Sequence, residues 1–156
     1  MAIQYQENGR IFTLHTDHST YQMKADSYGN LLHLYYGDRT EGSMEYLLTF
    51  GDRGFSPNPY EAGDDRTYSL DALQEYPYQG SGDFRSPALA VEQADKSYGL
   101  NLRYGGYEIS KGKYSLPGLP SMYGEGLEDA ESLKIHLTDQ VSGLAVTLLY
   151  GVFPGY

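Results

Sequence analysis

Between Phe50 and Ala88 the chain reads FGDRGFSPNPYEAGDDRTYSLDALQEYPYQGSGDFRSPA, and no hydrophobic period survives across it. Neither the alternation of a strand nor the 3.6-residue spacing of a helix fits. Pro57, Pro59, Pro77 and Pro87, with Gly51, Gly54, Gly63, Gly80 and Gly82, interrupt the backbone throughout. A disordered linker, however, would lack Phe55, Tyr60, Tyr68, Leu70, Leu73, Tyr76, Tyr78 and Phe84, which offer much surface to bury. A long, aromatic-rich irregular stretch inside a compact domain reads as an ordered functional loop. Residues 50–88 are therefore the loop, and the flanking segments must supply its scaffold.

Those flanks read as short strands. Arg10 to His15 and Thr20 to Lys24 are two, joined by a polar turn through Asp17 and His18. Ser27-Tyr28-Gly29-Asn30 is the next turn. Leu31 to Tyr36 (LLHLYY) is apolar on both faces, which predicts a central strand. Met44 to Phe50 fits either a strand or a short helix. After the loop, Ala88 to Gln93 is a strand candidate. Leu100 to Tyr104 and Tyr107 to Lys111 are two more, parted by a bulge or bend at Gly105-Gly106. A second irregular stretch runs from Lys113 to Glu131.

The clearest pattern comes last. Leu133, Ile135 and Leu137 alternate with Lys134, His136 and Thr138, a turn follows at Asp139 to Gly143, and Leu144 to Phe153 returns apolar on both faces. That is an antiparallel hairpin with a doubly buried second arm. With no long amphipathic helix and no repeat, the expected fold is all-β, an antiparallel sandwich with long irregular loops, in one domain over residues 1–156.

Bulk properties narrow the function. A formal charge of −10 and a pI near 4.6 would repel the phosphates of nucleic acid and anionic membranes. There is no cysteine, so a reducing compartment is permitted. No basic-then-apolar leader opens the sequence, and no apolar run reaches the ~20 residues of a membrane helix. The expectation is a cytoplasmic protein. Its 17 tyrosines against 5 phenylalanines and no tryptophan suit half-buried strand faces and contact with hydroxylated ligands.

Within the loop, Arg53, Arg66 and Arg85 alternate with Asp52, Asp64, Asp65, Asp71, Glu75 and Asp83. Such groups bind vicinal sugar hydroxyls, and aromatic faces cover the apolar side of a sugar. They also pair with one another to hold an irregular loop together, and composition favours that reading. Loop spacing fixes no carboxylate separation, so no glycosidase acid and nucleophile can be named. Asp64-Asp65 and the Glu125, Glu128, Asp129, Glu131 group lack the EF-hand pattern. His15 and His18 sit at a turn without partners at metal-site spacing, while His33 and His136 lie on strands. No metal and no cofactor are expected.

The motifs YQM, LLHLYYG, D-R-G-F-S-P-N-P, D-R-T-Y-S-L-D, Q-E-Y-P, G-x-G-D-F-R-S-P-A-L, K-G-K, G-L-P, A-E-S-L-K-I-H-L and G-L-A-V-T-L-L-Y-G-V run through the whole chain. On these residues it resembles the N-terminal region of bacterial α-galactosidases of glycoside hydrolase family thirty-six. The resemblance implies a part of a galactose-mutarotase-like supersandwich. It also implies that hydrolysis of terminal α-galactosides such as melibiose and raffinose, by a retaining pair of aspartates, belongs to a (β/α)8 barrel absent here. This chain is then non-catalytic alone. It serves self-association into a dimer or larger assembly and lends a loop to a neighbouring subunit's active site, meeting an α-galactoside only with a partner catalytic domain.

The aspartate of D-R-x-F-S-P-N-P in such enzymes contacts the sugar; here it is Asp52. Arg53, Arg66, Asp83 and Arg85 fall in matching motifs and are assigned to loop order and subunit contact. Three departures stand out. One residue is missing before Q-E-Y-P, at Leu73-Gln74, while Gly105-Gly106 replaces a bulkier pair and Gly124-Glu125-Gly126 loosens a turn. The sequence also stops about halfway through the family's sandwich, as a truncated, excised or engineered piece would. The alternatives are a stand-alone carbohydrate-binding module and an engineered scaffold without ligand.

Overall fold

A computed structural model describes residues 2–48, 74–81, 85–121, 127–153 and 155. Within them the chain is nearly all strand. β1 (Ile3–Gln6), β2 (Ile11–His15), β3 (Ser19–Ala25) and β4 (Leu31–Asp38) form an antiparallel meander in that order. β5 (Leu102–Lys111), β6 (Glu131–Asp139) and β7 (Ala145–Val152) form a second one. Single 3-10 turns at Glu45–Leu47 and Leu127–Asp129 are the helical elements among the described residues.

The sheets share one core. Phe12, Leu14, Met23 and Ala25 from the first meet Leu102, Leu133, Ile135 and Leu137 from the second. Each large side chain so buried is worth roughly 1.5–3 kcal/mol. The alternation read in β6 is realised: Leu133, Ile135 and Leu137 are buried while Lys134, His136 and Thr138 face out. Polar contacts lock the sheets further. The Ile3 N–H donates to Glu131 Oε2 at 2.7 Å, and the Tyr104 N–H to the Gly29 carbonyl at 2.7 Å. Gly29 holds φ at +82°, so the turn that brings it against Tyr104 favours glycine.

Every residue of β2 is buried, although Ile11, Thr13 and His15 alternate away from the core that holds Phe12 and Leu14. The cover on that side is the segment after β4. Gln22 donates to the Gly42 carbonyl at 2.9 Å and accepts from the Met44 N–H at 2.9 Å. Thr20 accepts from the Thr40 N–H at 2.9 Å, and His15 Nδ1 lies 2.9 Å from Thr20 Oγ1. His15 is thus a satisfied buried side chain, its pKa lowered first by burial and then by nearby Arg39.

Several local expectations are corrected. β4 is the terminal strand of its sheet among the described residues, not a central one. Its buried start is covered by the returning loop, since Gln74 bridges Leu32 and the Glu75 N–H donates to the Leu31 carbonyl at 3.1 Å. Residues 88–93 form no strand beyond a single parallel bridge from Leu89 to Tyr78. The two strands around Gly105-Gly106 are one, β5, with a register shift between Tyr104 and Gly106. β7 buries one face through Val146, Leu148, Tyr150 and Val152, while Ala145, Thr147 and Gly151 are exposed. Of Met44 to Phe50, the described part takes the short helical form at Glu45–Leu47.

Candidate functional site

Asp52, Arg53, Arg66 and Asp83 lie outside the described residues; Arg85 is described and exposed. What the structure gives is the two roots of the stretch 49–73. The departing root sits on β3, through Gln22 to the Met44 N–H and through the ion pair of Lys24 with Glu45. The returning root sits on β4, through Gln74 against Leu32. Lys24 and Leu32 are register partners, so the chain leaves and returns at one place on the β3–β4 ladder.

From there residues 74–81 thread into the protein. Ala88 N–H donates to the Pro77 carbonyl at 2.8 Å, Gln79 N–H to Leu89 at 3.0 Å, and Leu100 N–H to Gln79 at 3.0 Å. Tyr78 is buried in the core cluster with its hydroxyl 3.5 Å from the Leu102 carbonyl. Gly80 turns this segment at φ +102°, where a Cβ would lie 2.8 Å from Leu100 N. These contacts replace sheet hydrogen bonds for a segment that has no partner strand.

Glu75 is the centre of the arrangement. Its side chain is only 6% exposed. The Tyr21 hydroxyl, from β3, donates into the carboxylate at 2.6 Å, and the Tyr150 hydroxyl, from β7, donates to Oε1 at 2.7 Å. His33 Nδ1, from β4, lies 3.2 Å from Tyr21 Oη and 3.4 Å from Glu75 Oε2. Because both tyrosine protons point at the carboxylate, His33 Nδ1 carries the hydrogen in this contact. Burial, followed by the Glu75 carboxylate, pushes both tyrosines well above the usual phenol range.

That geometry decides what Glu75 can do. A catalytic acid or base must reach a proton on a ligand. Here the carboxylate is buried and accepts from two phenols, with the His33 ring beside it. It ties the segment that follows residue 73 to both sheets. On the outer side of the same tyrosines opens a cleft of about 590 Å³, lined by Ser19, Tyr21, Tyr36, Leu149, Tyr150 and Phe153 among others. Tyr36 is 70% exposed there. Among the described residues, no group of three or more His, Cys, Asp or Glu is placed to hold a metal.

Sequence reasoning counted Glu75 as one more loop acid and gave Tyr21, Tyr150 and His33 no role in the site. The available signal was an acid flanked by aromatics in Gln74-Glu75-Tyr76-Pro77-Tyr78, together with tyrosines at inward strand positions.

Comparison with known proteins places these features. The model of the glycosyl hydrolase family 36 N-terminal domain matches residues 29–156. The bifunctional alpha-galactosidase/sucrose kinase AgaSK of Mediterraneibacter gnavus is 54% identical over 153 residues, covering 97% of this chain and 16% of that protein. Alpha-galactosidase AgaA of Geobacillus stearothermophilus is 40% identical, over 98% of this chain and 21% of its own. The solved galactosidase domain of AgaSK superposes with a TM-score of 0.91 at 52% identity, covering 99% of this chain and 21% of that one. The chain therefore spans about a fifth of the length of the relatives it matches.

Proposed function

The chain belongs to the glycosyl hydrolase family 36 N-terminal domain family, and on that premise we propose that it is the non-catalytic platform of an α-galactosidase, presenting its loop to the active site of a neighbouring catalytic domain. In this reading Asp52 accepts hydrogen bonds from the hydroxyls of a terminal galactose. Arg53, Arg66, Asp83 and Arg85 order the loop and hold the subunit contact. The observation that carries the reading is the double root. The residues flanking 49–73 hold contacts on adjacent strands, Met44 on β3 and Gln74 on β4, and Glu75 ties the second flank to both sheets. The described residues on either side of that stretch are thus held on the same part of the sandwich. The relatives named above are α-galactosidases, and a variant of AgaA was solved in complex with raffinose; terminal α-galactosides are the substrate class.

The platform acts as an assembly. Tyr36 and Tyr46 are exposed at 70% and 74%, and the 590 Å³ cleft opens beside β7. Exposed apolar surface of this kind supports self-association into a dimer or larger species. Light scattering at micromolar concentration should find that species; a clean monomer would count against it. The setting is the cytoplasm, a reading supported by the absence of cysteine. No helix among the described residues is long and apolar enough to cross a membrane.

The aromatic cleft favours a second reading, a carbohydrate-binding module that works by itself. Isothermal titration of the isolated chain with galactose, melibiose and raffinose separates the two. The platform reading expects no binding and no hydrolysis. Saturable heat with any of the three sugars would favour the module.

A further inference from the structure

We propose that residues 39–44 are an acid-sensitive strap across the outer face of β2 and β3, with His15 as the titrating group beneath it. On that face Thr20 and Gln22 of β3 stand opposite His15 and Thr13 of β2 in the ladder. The Thr40 N–H donates to Thr20 Oγ1 at 2.9 Å, and the Thr20 hydroxyl reaches the Thr40 carbonyl at 3.2 Å. Further along, the Gly42 carbonyl accepts from the Gln22 amide at 2.9 Å, and the Met44 N–H donates to Gln22 Oε1 at 2.9 Å. Alternate residues of the strap thus meet alternate residues of β3. These bonds run through side chains, whereas β2 is laddered by backbone to β1 on one side and β3 on the other. The strap is therefore the part that opens first.

The groups around His15 make acid the trigger. Thr20 Oγ1 accepts from Thr40 and donates to it, so its remaining lone pair accepts from His15 Nδ1–H at 2.9 Å. The neutral ring then carries its hydrogen on Nδ1, and a second proton arrives at Nε2. That proton creates a buried cation under a segment that already holds the Arg39 guanidinium. Arg39 is fixed there by its N–H on the His18 carbonyl at 2.9 Å and by Nη1 on the Thr16 carbonyl at 2.7 Å. Glu41, the strap's own acid, is exposed and engaged by Arg39 Nε at 3.2 Å. Asp17 and His18 on the β2–β3 turn and Asp38 at the end of β4 are exposed too. On β3, Lys24 pairs with Glu45 beyond the far end of the strap, and on the β1 side the His15 N–H meets the Ala2 carbonyl. Burial first and Arg39 second hold the ring below the ordinary imidazole range, with Glu41 opposing them. Folded His15 thus resists a proton that the unfolded chain takes up near pH ~6.5. The stability tied to the neutral ring is complete above that pH and is lost as pH falls below it. Opening the strap returns the ring to water and lets it charge.

Hydrogen exchange on the 156-residue chain tests this, each rate being divided by the intrinsic rate at the same pH. Protection of the Thr40 and Met44 amides should fall about fivefold between about pH 7.5 and about pH 5, while the amides of the central strand β6 keep theirs. His15→Gln keeps a neutral donor beside Thr20 and removes the titration, so its strap should be equally protected at both ends of that range. Arg39→Gln removes the second cation from the exposed side of the strap and should cut the fall to about twofold or less. It carries the test if His15→Gln does not fold. Constant protection in the parent, a fall undiminished in either variant, or a fall shared by β6 overturns the inference.

Discussion

Tyr21 on β3 and Tyr150 on β7 stand with ring centroids 6.4 Å apart, and both hydroxyls donate to the Glu75 carboxylate. Two sheets and the returning loop therefore meet at one buried charge. Tyr21→Phe or Tyr150→Phe deletes a hydrogen bond to a charged acceptor, worth about 1.5–3 kcal/mol. At ~2–4 °C per kcal/mol for a chain of this size, each variant should melt roughly 3–12 °C lower. Because the partners are shared, the double variant should depart from additivity by more than about 0.5 kcal/mol in a denaturation cycle.

The same tyrosines set an alkaline limit. Their folded pKa values lie above the unfolded value of about 10, driven first by burial. Tyr104 is pushed up to about 12 by burial and by Tyr5. Above pH ~10 the unfolded chain has lost protons that the folded chain retains, so stability falls as pH rises. The contribution is complete below pH ~10 and disappears on the alkaline side. Absorbance at the phenolate band should show a late group of tyrosines ionising together with loss of the sheet signal in circular dichroism. Smooth ionisation of all 17 in a folded protein would contradict this.

Two glycines should behave in opposite ways. At Gly80 the backbone sits at φ +102° and a Cβ would meet Leu100 N at 2.8 Å and Gly99 Cα at 3.1 Å, both backbone atoms that cannot swing aside. Gly80→Ala should cost about 2–4 kcal/mol in urea denaturation. At Gly105 the nearest atom to a Cβ is the His136 carbonyl at an ordinary 3.6 Å. Gly105→Ala should stay within about 0.5 kcal/mol of the parent.

Much of this fold is legible in the residues, for a physical reason. β6 and the inward side of β7 alternate because one face is dry, and period two records that directly. β1 is hidden because Ile3–Gln6 has only Ile3 fully buried and is too short for a pattern. Residues 88–93 look like a strand because Ala88, Leu89 and Val91 are apolar, yet their neighbours are irregular segments and no ladder forms. The Glu75 network is the least legible part. Its members lie on β3, β4, β7 and the returning loop, and no local spacing brings residue 21 to residue 150. The acid reads as one loop charge among several until tertiary packing shows that it is buried.

The claim that this chain supplies a sugar-binding side chain to another domain's pocket rests on Asp52. Its direct measurement is the raffinose KM of an AgaSK chimera in which residues 1–156 of this chain replace the matching region, compared with the same chimera bearing Asp52→Ala. Losing a carboxylate that accepts from sugar hydroxyls should raise KM by about tenfold or more while the chimera stays folded and assembled. An Asp52→Ala chimera with the KM of its parent would contradict the account.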